Sequence, residues 1–247
     1  MTLSDQIAVV KRRIADAARR SGRSPDSIRL VAVTKAVGPE DVRSAYSAGL
    51  TDFGENRWPD AEPRVLAAPQ AAWHFIGSLQ KNKVAKVLRH FRWIHSVDNL
   101  GLLQAISART ENVSSNLLIE VNVSGEESKH GLFPDALSDL LRAASSIQKV
   151  NVVGLMTMAP LVSPEETRPV FRTLRQLLDS ANSRADYREP LRELSMGMTN
   201  DFEVAVEEGA TIVRIGTAIF GPADGQLRVR PKTSRDCDGR RAEQCEE

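Results

Sequence analysis

The chain has 247 residues, 41% of them hydrophobic, a length that suits one large α/β barrel or two small domains. Its formal net charge of +1, from 33 basic and 32 acidic residues, excludes a global field that would attract nucleic acid or a membrane surface. Both cysteines, Cys237 and Cys245, lie near the C-terminus, so neither a disulfide framework nor a core metal site is expected. Without an apolar signal or membrane-length segment, the sequence predicts a cytoplasmic protein.

The first segment has the pattern of an amphipathic helix. Apolar residues recur there at helical spacing, at Leu3, Ile7, Val10, Ile14 and Ala17. This spacing predicts a helix over about 3–20 that packs on the rest of the protein. A transit peptide is the alternative interpretation, and Asp5 and Asp16 argue against it.

The run from Ile28 to Lys35 is mostly branched and apolar, which is typical of a buried strand. It ends in a lysine. An amine that is partly desolvated at the mouth of a strand is more available to condense with an aldehyde. The alternative is that Lys35 simply marks where the strand reaches solvent.

From this strand onward the chain alternates between predicted strands and helices. Seven further strands are predicted, at 52–55, 72–78, 93–97, 116–124, 150–158, 193–196 and 211–220. Helices are predicted between them, at 39–48, 60–68, 81–90, 100–110, 134–147, 165–183 and 201–208.

Repeated strand–helix units require a parallel sheet with right-handed crossovers, and eight strands are the number that closes a barrel. We therefore predict the α/β class, with a single (β/α)8 TIM barrel after the N-terminal helix. An open doubly wound sheet is the alternative, but no Gly-x-Gly-x-x-Gly follows an early strand. The barrel domain should span 1–221, and the polar, charged segment 222–247 should be a disordered tail.

In such a barrel the site lies at the carboxyl ends of the strands. The residues predicted there are Lys35, Asn56, His74, Gly77, Asn122, Met156, the run Ser195–Thr199, Arg214, Gly216 and Thr217. The segments after strands seven and eight offer glycines, hydroxyls and free amides, which suit a phosphate. Alternatively, Gly197 and Gly216 serve tight packing alone.

Arg214 stands between apolar residues, so at a position facing the barrel interior its guanidinium needs an acceptor. A pyridine nitrogen would serve, and a structural ion pair with Glu55 or Glu120 is the alternative. His74 is either a site residue or a hydrogen-bonded core residue. The four histidines share no metal-ligand spacing, so no metal is expected.

A reactive lysine, a phosphate cradle and a cation suited to a ring nitrogen together describe a site for pyridoxal 5′-phosphate (PLP). The sequence resembles the PLP homeostasis protein family, which is similar to the N-terminal barrel domain of alanine racemase. The motifs of this resemblance are VAVTK at 31–35, FGENR at 53–57, HFIGSLQKNK at 74–83, VNVSGEESKHG at 121–131, GLMTM at 154–158, SMGM at 195–198 and VRIGTAIFG at 213–221.

The resemblance implies that Lys35 holds PLP as an aldimine, with Arg214 facing the ring nitrogen. It implies that phosphate binds to Ser195, Gly197, Gly216 and Thr217. It further implies that the ring pocket is lined by Asn56, His74 and Met156. No catalytic residue and no metal ligand is assigned.

The expected function is buffering or delivery of PLP by a monomer, with PLP-dependent apo-enzymes as recipients. An arginine opposite the ring nitrogen weakens PLP as an electron sink, and Tyr46 and Tyr187 fall outside the predicted strand ends. A small racemase-like enzyme is the main alternative. A Schiff-base aldolase without a cofactor, in which Lys35 attacks a phosphorylated sugar, is a further one.

Overall fold

The computed structural model describes residues 1–110, 115–126 and 129–221. The strands of these residues are β1 Arg29–Val33, β2 Asp52–Glu55, β3 Ala72–Phe75, β4 Trp93–Val97, β5 Asn116–Glu120, β6 Asn151–Met156, β7 Glu193–Ser195 and β8 Ile212–Ile215. Each strand pairs in parallel with the next, and β8 pairs with β1, so the sheet is closed. This confirms the predicted (β/α)8 barrel.

Helices follow the strands on the outside of the barrel. In the described ranges they are α1 Leu3–Arg20, α2 Pro39–Ser47, α3 Glu62–Ala67, α4 Val84–Leu88, α5 Leu100–Arg109, α6 Leu137–Ser145, α7 Pro164–Ser183, α8 Phe202–Glu207 and α9 Thr217–Phe220. None of them is long and apolar enough to cross a membrane. The predicted tail at 222–247, with Cys237 and Cys245, lies outside the described residues.

Helix α1 packs on the barrel, as its apolar spacing predicts. Its first turn is capped by Thr2, whose hydroxyl accepts from the Asp5 amide at 3.2 Å while the Asp5 carboxylate accepts from the Thr2 amide at 2.8 Å. Its buried face contacts α8 and α9. Arg13 adds a two-pronged ion pair with Glu203 of α8. The helix is therefore an integral layer of the fold.

Several predicted strands end earlier in the structure. The strand predicted at 211–220 ends at Ile215, and Thr217–Phe220 forms a helical turn instead. The amides of Ile219 and Phe220 donate to the Gly216 carbonyl, and both side chains are buried. A short apolar run fits a strand or a buried helical turn equally well, so its periodicity cannot separate them.

The interior of the barrel is filled with side chains. Its apolar layer consists of Val31, Trp93, Leu118, Met156 and Ile212. The His74 ring stacks on Trp93, with 5.2 Å between the centroids. As in other barrels of this type, the interior is thus a packed core, and space for a ligand remains at one end.

Candidate functional site

A cavity of about 500 Å³ opens where the strands end. Five of the nine residues predicted to bind PLP line it, namely Lys35, Asn56, Arg214, Gly216 and Thr217. Gly77, Met198 and Thr199, which are also predicted near strand ends, line it as well. The loops after β6 and β7 contribute the ranges 158–162 and 198–201. The cavity combines an apolar wall with a few polar groups, as ligand sites generally do.

Lys35 lies in the turn that follows β1 and is exposed at the mouth of this cavity. The residue before it is tied to β2, because the Thr34 amide donates to the Gly54 carbonyl at 3.0 Å. The Thr34 hydroxyl also donates to the Glu55 carboxylate at 2.5 Å. The expectation of a desolvated lysine is not met, since its side chain reaches solvent beyond the last residue of the strand.

Arg214 is a buried cation on β8 that faces the same cavity. Its guanidinium donates to the Ser195 hydroxyl at 2.6 Å and to the Thr157 carbonyl at 2.9 Å. Burial lowers the pKa of Arg214 to about 10, against the charges of Glu120 and Asp201, so it remains a cation at neutral pH. N–H donors remain for a ligand, because a guanidinium has five.

The alternative ion pair of Arg214 with Glu55 does not form. Glu55 instead accepts two hydrogen bonds from Arg64 of α3, at 2.6 and 3.0 Å. Glu120 lies close enough to Arg214 to influence its pKa, but the two form no salt bridge in the described part of the chain. Arg214 is therefore held by neutral acceptors.

The segment after β8 offers backbone donors to the cavity. The amides of Gly216 and Thr217 make no backbone hydrogen bond among the described residues. A Cβ atom at Gly216 would lie 3.2 Å from the Val33 carbonyl oxygen, so glycine allows β8 to approach β1 closely here. Free amides beside a cation are the groups that bind an oxyanion.

Gly197 shapes the loop between β7 and α8 without lining the cavity. Its φ is +91°, and a Cβ atom would lie 2.5 Å from Ala205 Cβ and 2.9 Å from Phe202 Cα. The next residue begins the cavity wall, with the Met198 amide donating to Asp201 Oδ1 at 2.6 Å. Gly197 therefore sets the path of a loop that reaches the site.

Three other predicted site residues point into the barrel interior. Met156 belongs to the apolar layer, while Ser195 and His74 are fully buried. The Ser195 hydroxyl bonds to Arg214 and to His95, and His74 bonds to His95 and Asp52. None of the three lines the cavity. Ser195 and His74 are linked to the site through Arg214.

Glu120 and His130 line the cavity although they were not predicted as site residues. Burial raises the pKa of Glu120 to about 7, despite the opposing charge of Arg214. The predicted strand continued to Ser124, which put Asn122 rather than Glu120 near its end. With β5 ending at Glu120, the rule that sites lie at strand ends would have identified this carboxylate. No group of three metal-ligating side chains occurs in the described ranges.

Comparison with known proteins shows the family of this chain. The alanine racemase N-terminal domain family matches residues 7–224. A PLP homeostasis protein of Aquifex aeolicus is 43% identical over 226 residues, covering 90% of this chain and 98% of the relative. The chain belongs to the pyridoxal phosphate homeostasis protein family. The family's member in Escherichia coli K12 is 35% identical over 229 residues, covering 90% of this chain and 97% of the relative.

Solved structures show the same fold. PipY of Synechococcus elongatus, solved with PLP bound, superposes with a TM-score of 0.76 at 32% identity, covering 89% of this chain and all of PipY (100%). Alanine racemase of Corynebacterium glutamicum has a TM-score of 0.69 at 17% identity, covering 91% of this chain and 63% of the racemase. At that identity the racemase shows the barrel fold alone.

Proposed function

We propose that this chain binds PLP in the cavity at the carboxyl ends of its strands and buffers or delivers it inside the cell. The observation behind the proposal is that Lys35, Arg214, Gly216 and Thr217 line one cavity. PLP consists of an aldehyde, a pyridine ring and a phosphate, and these residues provide one matching group for each. PipY, a relative solved with PLP bound, supports the same cofactor.

Each residue has a role that follows from its chemistry. When bound, PLP supplies an aldehyde that condenses reversibly with a primary amine, and Lys35 Nζ is the amine of this cavity. The free amides of Gly216 and Thr217 would hold the phosphate. The Arg214 guanidinium would donate to the ring nitrogen, and Asn56 would line the ring pocket.

The other predicted residues would act from behind the cavity. Ser195 and His74 hold polar contacts that lead to Arg214, whereas Met156 fills the barrel interior. Gly197 sets the path of the loop after β7. The binding unit would comprise 1–221.

Storage fits the site better than amino-acid turnover. Arg214 donates a hydrogen bond but keeps its proton, and as a cation it opposes protonation of the ring nitrogen, which limits the electron withdrawal that carbanion chemistry needs. Tyr187 is buried and donates to the Val150 carbonyl at 3.2 Å, and Tyr46 lies on α2 outside the cavity. Neither tyrosine could protonate a substrate at Lys35.

Exposure of Lys35 also favours exchange. An amine at an open mouth can pass its aldehyde partner to water or to another amine without unfolding of the barrel. We infer that PLP-dependent apo-enzymes receive the cofactor from this monomeric protein.

The proposal is tested by titrating the purified protein with PLP and recording its visible absorbance. Wild type should develop a saturable band, and Lys35→Ala should not. Lys86→Arg, an exposed lysine on α4, is the matched control and should behave like wild type. A Lys35→Ala variant with an unchanged band would overturn the assignment.

Delivery is tested by mixing the loaded protein with an apo-form of a PLP-dependent enzyme and measuring recovery of that enzyme's activity. A carrier should restore activity while exchanging the α-proton of added amino acids slowly in deuterated water. Rapid α-proton exchange would instead favour the racemase-like alternative.

A further inference from the structure

A chain of hydrogen bonds crosses the barrel interior behind the cavity. Arg214 Nη1 lies 2.6 Å from Ser195 Oγ, which lies 2.9 Å from His95 Nδ1. His95 Nε2 lies 2.9 Å from His74 Nδ1, and His74 Nε2 lies 3.0 Å from Asp52 Oδ1. Five side chains from five strands are thus connected in one line.

This hydrogen-bonded line is shielded from water. Ser195, His74 and His95 have no exposed surface (0%). A buried polar group that loses its partner cannot replace it with solvent, so each bond depends on the next. The far end is anchored, because the Asp52 carboxylate also accepts from Arg29 and from the Thr51 hydroxyl, both at 2.8 Å.

With both imidazole rings neutral, the two ends fix the direction of every bond. A guanidinium can only donate, and a carboxylate can only accept. The Ser195 hydroxyl accepts from Arg214 and donates its proton to His95 Nδ1. His95 then donates from Nε2 to His74 Nδ1, and His74 donates from Nε2 to Asp52.

This arrangement requires two neutral imidazole rings, and their surroundings agree. Burial lowers the pKa of His95 well below its ordinary value, and the positive charges of Arg214 and Arg29 act in the same direction. Burial also lowers the pKa of His74, although Asp52 acts in the opposite direction. Both shifts favour the uncharged form of the rings at neutral pH.

We propose that His95 and His74 are positioning residues that hold Arg214 in one orientation toward the cavity by fixing the Ser195 hydroxyl as its acceptor. Without His95 the hydroxyl proton has no buried acceptor, and the hydroxyl turns. Arg214 then loses a fixed acceptor, and its guanidinium is no longer held in one orientation toward the ligand. The inference rests on the proposed function, because the orientation of Arg214 affects the affinity for a ligand in that cavity.

The bond directions can be measured without PLP. Nitrogen NMR of the protein labelled with ¹⁵N-histidine distinguishes the two neutral tautomers from the charged ring. His74 and His95 should both be neutral, with the proton on Nε2, at pH 7. A charged ring, or a proton on Nδ1 of either residue, would overturn the proposed direction.

The effect on Arg214 is measured by PLP affinity. His95→Phe should weaken PLP binding by about tenfold, the effect of losing one hydrogen bond to a charged group. His95→Gln keeps an acceptor and a donor, so it should bind PLP more tightly than His95→Phe and less tightly than wild type. It replaces His95→Phe in this test if that variant does not fold. His90→Phe is the matched control, since His90 stacks on Trp58 outside the cavity, and it should bind as wild type does.

A double-mutant cycle separates positioning from general loss of structure. If His95 acts through Arg214, then His95→Phe should have no further effect on affinity in an Arg214→Gln background. Additive losses would overturn the proposal. If wild type itself does not bind PLP, the proposed function fails, and the tautomer measurement then decides this inference alone.

Discussion

The hydroxyl of Thr34 donates to the buried carboxylate of Glu55 at 2.5 Å, one residue before the exposed amine of Lys35. Glu55, on β2, also accepts two hydrogen bonds from Arg64 of α3, so this carboxylate connects both to the residue that follows β1. The backbone before Lys35 is thereby fixed, while the lysine itself reaches the cavity mouth. An exposed amine on a fixed backbone suits repeated, reversible condensation with an aldehyde.

Thr34→Val keeps the shape of this side chain and removes its hydrogen bond. We expect the free energy of unfolding to fall by about 1–2 kcal/mol. PLP affinity should also fall, because the turn at Lys35 is less ordered. Thr110→Val is the control: its hydroxyl donates to the Ile106 carbonyl at 2.8 Å, away from the cavity. It should reduce stability and leave affinity unchanged; equal affinity losses would contradict the account.

Gly197→Ala tests the loop after β7. Alanine there must adopt a φ of +91° and place its Cβ 2.5 Å from Ala205 Cβ. Gly22→Ala is a matched control, because Gly22 has a φ of +70° with no atom within 4 Å of the added Cβ. The control should cost about 1 kcal/mol of stability, and Gly197→Ala about 2–4 kcal/mol. Denaturant unfolding measures the stability of both variants. Equal losses of stability would contradict the prediction, because they would show that the contact of the new Cβ with Ala205 is relieved at no cost.

Glu120 should make stability depend on pH. Its pKa is raised from 4.5 to about 7 in the folded chain, so the folded state keeps a proton that the unfolded state releases. Wild type therefore loses stability as pH rises between these values, by about 1–3 kcal/mol. Glu120→Gln cannot ionise. Its free energy of unfolding, relative to that of wild type, should therefore increase between pH 5 and pH 8.

Urea unfolding at the two pH values measures this gain. Glu62→Gln, an exposed carboxylate outside the cavity, is the control and should show none. A stability difference between Glu120→Gln and wild type that is the same at both pH values would mean that Glu120 is ionised in the folded state.

The fold could be predicted from the sequence because each strand and helix has a local signal. Branched apolar runs mark the strands, and Pro39 and Gly49 mark the start and end of a helix. The strand ends were harder to predict. The predicted strands at 116–124 and 211–220 were too long. Nothing in the sequence indicates that β5 ends at Glu120 or that the apolar run after Gly216 forms a helical turn.

The cavity lining was predictable where a residue lies at or just beyond the end of a strand, as for Arg214 on β8 and Lys35 after β1. It was not predictable for His74 and Ser195, which stand near strand ends but point into the interior. Their partners, His95 and Asp52, are 21 and 22 residues from His74 and 100 residues separate His95 from Ser195. Only closure of the barrel brings them within hydrogen-bond distance.

The central claim is that PLP attaches to Lys35. The most direct measurement is borohydride reduction of the protein loaded with PLP, followed by mass spectrometry of its peptides. We predict one reduced cofactor adduct, on the peptide that contains Lys35, and none in Lys35→Ala. An adduct on another lysine, or no adduct despite saturating PLP, would contradict the account.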